Sequence, residues 1–107
     1  MAEHLAQRGM EILATNLHVG RGEIDVLARE GAVIVIVEVR TRGPGSWVSA
    51  LGSVDAGKRA RLRRAGERLW QERFAADASV ERMRFDVAAV DLAAEGDAQI
   101  EIIRAAF

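Results

Sequence analysis

The sequence predicts one α/β domain, a mixed sheet flanked by helices, with elements in the order α-β-β-β-α-β-β. Three observations carry this. Residues 33–37, Val-Ile-Val-Ile-Val, form an unbroken β-branched run, the pattern of a central strand covered on both faces. The stretch from Glu23 to Arg29 alternates, with Ile24, Val26 and Ala28 on one face and Glu23, Asp25 and Leu27 on the other. A long helical pattern after residue 55 is then long enough to bring the chain back for a parallel return.

The elements follow in order. Residues 2–9 read as a short helix anchored by Leu5 and stopped by Gly9. Met10 to Thr15 reads as a first strand, with Asn16 ending it. Glu30-Gly31 supplies a two-residue turn between the second and third strands, so the first three strands form a meander. Thr41 to Val54 is a loop. Its Arg42-Gly43-Pro44-Gly45-Ser46 part is a flexible connector, and its Trp47–Leu51 part is the more ordered. Asp55 is a helix N-cap, and the helix runs from Ala56 to Phe74 with Leu62, Ala65, Gly66, Leu69, Trp70 and Phe74 as its buried stripe. Met83–Leu92 and Gln99–Ile103 are the last two strands, joined by an acidic turn over 93–98.

The 107 residues suffice for one domain, 1–107, and a core this thin makes association with a second copy a natural way to add buried surface. The absence of cysteine removes disulfides, thiolate catalysis and cysteine-ligated zinc. The N-terminus lacks a signal peptide's apolar core, and no apolar run approaches membrane-spanning length, so a cytoplasmic location without membrane contact is expected. The net charge of −1 hides an uneven distribution: residues 40–76 carry nine basic and three acidic side chains between two acidic flanks. A basic middle suits a polyanion or an acidic protein partner, and equally a solvated helix face.

The hairpin gathers charge at one end. With Arg29 opposite Ala32, Glu23, Asp25, Glu38 and Arg40 share one face, and Asp25 and Glu38 are diagonal neighbours about 7–8 Å apart at the backbone. Neighbouring carboxylates repel unless a cation sits between them. Mg²⁺ takes hard oxygen ligands, acidifies a bound water and stabilises charge on phosphorus. Two readings stand at this point: a polar hairpin end screened by Arg40, or a metal-dependent phosphodiester-hydrolysing site.

The segments Gly22-Glu23-Ile24-Asp25-Val26-Leu27-Ala28-Arg29 and Val37-Glu38-Val39-Arg40-Thr41-Arg42 resemble the signature of the YraN-like family of predicted bacterial endonucleases. Lys58-Arg59-Ala60-Arg61-Leu62 resembles that family's basic helix, Arg84-Phe85-Asp86-Val87 its late strand, and Ala105-Ala106-Phe107 its ending. The family is similar to Holliday junction resolvases and other PD-(D/E)xK nucleases, so the resemblance implies the restriction-endonuclease-like fold. It also implies a Mg²⁺- or Mn²⁺-dependent endonuclease acting on structured or branched DNA. By position, Asp25 is the acid of the first half-motif, Glu38 and Arg40 fill the second, and Glu3 is the helix-borne acid that completes the metal set of Glu3, Asp25 and Glu38. A resolvase-like reaction makes two symmetry-related cuts, which implies a homodimer. The superfamily carries lysine where this chain has Arg40. Arginine keeps the charge and clamps phosphate or water but hardly ever gives up a proton. A rival reading follows: a weakened nuclease-fold module that binds nucleic acid or a protein partner.

Arg42, Lys58, Arg59, Arg61, Arg64 and Arg68 are the candidate nucleic-acid contacts, with Arg63 beside them and Arg21 also able to approach a strand. Asp86 reads as a buried structural acid bonded to arginine or backbone, and Glu23 as a supporting acid as readily as a ligand. His4 and His18 lack zinc spacing and read as surface residues. Trp47 reads as a cover for the core or a dimer contact rather than a base-stacking group.

Overall fold

The computed structural model describes residues 1–43, 52–92 and 99–107. The expectations for Pro44 to Leu51, including Trp47, and for the 93–98 turn lie outside the described residues. The elements are α1 (Ala2–Gln7), β1 (Glu11–Val19), β2 (Gly22–Glu30), β3 (Val33–Arg42), α2 (Ala56–Leu69), a π-helical turn over Trp70–Phe74, β4 (Arg82–Asp91) and β5 (Gln99–Ile103). The sheet has five strands in the order β1-β2-β3-β4-β5, antiparallel except for the parallel pairing of β3 with β4 across α2. This mixed sheet with helices against it is the predicted architecture and is compatible with a restriction-endonuclease-like fold.

The core lies on both sides of the β-branched strand. Ile34 and Ile36 pack with Leu27, Ala65, Leu69 and Phe74 on the α2 side. Val35 and Val37 pack with Leu5, Val26 and Ala28 on the α1 side. Val54, Leu62, Val87 and Ala89 continue the α2 side towards Phe107 at the C-terminus. The predicted stripe of the long helix is buried at Leu62, Ala65, Gly66, Leu69 and Phe74, with Trp70 half-buried.

Three local expectations need correction. The hairpin turn is Gly31-Ala32, because Glu30 pairs with Val33 and stays in β2. Ion pairs from Arg84 and Arg104 hold the Glu30 carboxylate there, and Gly31, at φ 60°, supplies the positive φ that a two-residue turn needs at its first central position. The register therefore moves by two residues: Leu27 faces Ile36 and Val26 faces Val37. An even shift keeps Asp25 and Leu27 on the face of Ile36 and Glu38, and Val26 and Ala28 on the other, while Ile24 packs in the Leu27 cluster rather than with Val26 and Ala28. Asn16 does not end β1. It takes φ 48°, which asparagine tolerates, and the strand runs on to Val19 past an irregularity between Ile12 and Ala14. Thr41 and Arg42, expected to open the loop, instead belong to β3, because β4 pairs alongside it as far as Asp91.

Candidate metal and phosphodiester site

The site forms where β2 and β3 run under the first turn of α2. Asp55 caps that helix, its Oδ1 accepting the Lys58 N–H at 2.9 Å. This hydrogen bond, with the nearby Arg61 and Lys58 charges, holds the Asp55 carboxyl below its ordinary range. The cap fixes the first turn over the sheet, and Lys58 reaches down to Glu38, with Nζ 2.8 Å from Oε1. A cavity of about 260 Å³ opens there, lined by Arg21, Glu23, Asp25, Glu38, Lys58 and Arg61, with Leu62 and Ala65 as its apolar wall.

Glu38 is only 4% exposed. Burial pushes its carboxyl above the ordinary glutamate value, and the Asp25 charge adds to the rise. The Lys58 hydrogen bond and the Lys58 and Arg40 charges oppose it. Asp25 Oδ2 accepts the Val39 N–H at 2.8 Å, which ties the β2 acid to the backbone beside Glu38. Both cations approach Oε1 of Glu38, Arg40 Nη1 more distantly at 3.7 Å. Oε2 of Glu38 and Oδ1 of Asp25 could serve as hard oxygen donors to a metal ion.

Arg40 is held from the other side. Its Nε donates to Ser53 Oγ at 3.0 Å and its Nη2 to the Ser53 carbonyl at 2.9 Å. The guanidinium thus braces β3 against the segment leading into α2, and the ammonium closest to the carboxylates belongs to Lys58. Sequence reasoning places Lys58 among the candidate nucleic-acid contacts of the basic helix rather than beside the carboxylates. The available signal was that it is the sole lysine among fifteen basic residues and stands three positions after a capping aspartate.

The expected residues divide. Asp25, Glu38, Arg40 and Glu23 come together. Glu3 does not join them: it is exposed on α1, whose Leu5 packs on the opposite side of the sheet from α2. Among the described residues, no group of three or more His, Asp or Glu could hold a metal ion, so the Glu3, Asp25 and Glu38 trio is not assembled. The two carboxylates still suit Mg²⁺, which commonly takes one or two carboxylates and completes its shell with water and phosphate.

The basic residues divide as well. Arg42 makes a two-point ion pair with Asp91, at 2.6 and 2.8 Å. Arg59 donates to the Val54 carbonyl at 2.9 Å, and its guanidinium lies over the Phe107 ring at 5.7 Å. Arg61, Arg64 and Arg68 line a cleft with Arg21. Asp86 is fully buried and accepts Arg84 Nε and Nη2 at 2.8 and 3.0 Å and the Ala105 N–H at 2.9 Å, as its structural reading requires. His18 is exposed as expected. His4, beside the Leu5 anchor of α1, is instead half-buried with Nε2 shielded and without a partner.

The sequence model of the uncharacterised protein family UPF0102 matches residues 1–90. The chain is 62% identical over 104 residues to a UPF0102 protein of Sorangium cellulosum, covering 97% of this chain and 72% of that one. It is 39% identical to a UPF0102 protein of Pseudomonas fluorescens (97% and 83% covered) and 42% identical to one of Moorella thermoacetica (96% and 84%).

Proposed function

This chain belongs to the UPF0102 family, the YraN-like family its motifs resemble, and we propose that it is a metal-dependent endonuclease that hydrolyses phosphodiester bonds in structured DNA. The observation that carries the reading is Lys58 Nζ at 2.8 Å from Glu38, in a cavity that Asp25 also lines. Two carboxylates on the sheet and an ammonium from α2 thus meet although the motif position itself holds Arg40, which supports the reading. Asp25 and Glu38 would hold Mg²⁺ or Mn²⁺, which supplies an acidified water and screens the phosphate charge.

The chain's own groups do the rest. Lys58 offsets part of the burial cost of an ionised Glu38 and would orient the attacking water or pass a proton. Arg40 fixes the distance between β3 and the start of α2. Hydrolysis adds water across one P–O ester bond: the water oxygen joins phosphorus, and the leaving alcohol takes a proton. The preference for branched DNA, and for a homodimer making paired cuts, rests on the resemblance to resolvases.

Purified protein is incubated with labelled four-way junction, flap, duplex and single-stranded DNA, with Mg²⁺, Mn²⁺ or a chelator. Cleavage is expected only with metal. It should be lost in Asp25→Ala and Glu38→Ala, and fall at least about a hundredfold in Lys58→Met. No cleavage of any substrate by folded wild-type protein defeats the reading. Cleavage that survives Lys58→Met unchanged removes Lys58 from it.

A further inference from the structure

We infer that the cleft beside the candidate site is a backbone-phosphate clamp that holds the same nucleic-acid strand one or two phosphates away from the scissile one. Arg21, Arg61, Arg64 and Arg68 line it, together with Val19, Gly20, Gly22 and Ala65, in a volume of about 340 Å³. It shares Arg21, Gly22, Arg61 and Ala65 with the carboxylate cavity, so the two are continuous along one face. This inference rests on the nuclease reading for the scissile position, though not for binding itself.

Three features make this a built surface rather than a solvated helix face. Arg61, Arg64 and Arg68 are spaced three and four residues apart on α2, so they form a single stripe. The β1–β2 turn brings Arg21 to the stripe from the sheet. Gly20 takes the positive φ of 59° that this turn needs, and Arg68 Nη1 lies close over it, 2.9 Å from where a Cβ would stand. The Arg68 guanidinium thus lies against the turn that carries Arg21.

Few acids oppose these charges. Glu72 pairs with Arg68 through Nε at 3.0 Å, and Asp55 acts on Arg61 from a distance. No acid lines the cleft itself. Four cations around a concave surface with backbone on one wall fit a polyanion such as a phosphate backbone. Phosphate contacts of this kind set position and carry no base sequence. Arg42 and Arg59, also candidates from sequence, lie outside the clamp and are engaged with Asp91 and with Val54 and Phe107.

The test measures binding in chelator, where cleavage plays no part. Wild type, Arg64→Gln/Arg68→Gln and Arg21→Gln are titrated with labelled duplex DNA, single-stranded DNA and single-stranded RNA across a salt series. Circular dichroism melts check folding. Arg104→Gln, at the opposite end of the sheet, is the control. The double variant should lose at least about tenfold in affinity, and its salt slope on duplex DNA should fall by about 1.8, from 0.9 per lost phosphate contact. Arg21→Gln should lose about half that slope, and Arg104→Gln should match wild type. Wild-type slopes in folded clamp variants overturn the inference, as does equal loss in Arg104→Gln or no binding of any strand by wild type. Clamp-dependent binding without metal-dependent cleavage would defeat the nuclease reading and leave the clamp standing. Cleavage with clamp-independent binding would do the reverse.

Discussion

A carboxylate covered by a helix loses hydration, and Glu38 accepts that loss in order to face the cavity. Its carboxyl is raised chiefly by burial, so the folded state binds a proton more tightly than the unfolded chain does. The penalty for ionised Glu38 is absent below the ordinary glutamate value, where both states are protonated. It grows as pH rises and is complete above the raised folded value. Glu38→Gln should therefore melt with wild type near pH 3 and above it at pH 7. Thermal melts at the two pH values check this, and the same variant should be inactive. A variant that melts below wild type at pH 7 would mean that the Lys58 ion pair outweighs the burial cost. Lys58 itself is 32% exposed and can return to water when its partner is neutral.

At the scale of elements, α2 positions the site through its cap and its closest approach to the sheet. Asp55→Ala removes the acceptor for the Lys58 N–H and loosens the turn that carries the ammonium. The melting temperature should fall slightly and any cleavage more strongly, whereas Asp55→Asn, which still caps, should restore much of both. At Gly66 the helix packs closely on side chains of the sheet. A Cβ there would meet Phe85 Cζ at 2.7 Å, Met83 Sδ at 3.0 Å and Ile36 Cδ1 at 3.1 Å. Alanine is the better helix former by about 1 kcal/mol, yet overpacking against Phe85, Met83 and Ile36 costs about 1–3 kcal/mol. Phe85 is pinned by its stack on Phe107, with ring centroids 5.3 Å apart. Gly66→Ala should thus lower the urea midpoint, and a raised midpoint would show that the ring yields.

Across the whole molecule, the buried Arg84–Asp86 pair links parts of the chain that no single element joins. Arg84 also reaches Glu30 at the hairpin turn, Arg104 pairs with the same Glu30, and Asp86 holds the Ala105 N–H of the C-terminal segment. Asp86→Ala would leave a guanidinium only 9% exposed without its main partner, at a cost of about 3–5 kcal/mol. Urea unfolding should show that loss, and Arg84→Met/Asp86→Leu should recover much of it. The described residues contain no helix long and apolar enough to cross a membrane. The exposed charge of α2 and the β1–β2 turn instead lies on the face that also holds the carboxylates.

The sequence by itself determined the order of elements, the central strand, the parallel return, the long helix with its buried stripe, and the meeting of Asp25 with Glu38. All of these follow from periodicity, β-branching and the alternation of side chains along a strand, which are local properties. Asp86 as a buried, arginine-bonded acid was legible for the same reason, since it stands between core residues of a strand. Only the tertiary structure decided the turn at Gly31-Ala32, because that choice was made by ion pairs from Arg84 and Arg104, distant in sequence. It also separated Glu3 from the other acids, since the side of the sheet to which a short helix turns is set by packing, not by spacing. And it brought Lys58 to Glu38 while Arg40 turned to Ser53: twenty residues separate the lysine from the glutamate, and only the crossover of α2 above the sheet closes that distance.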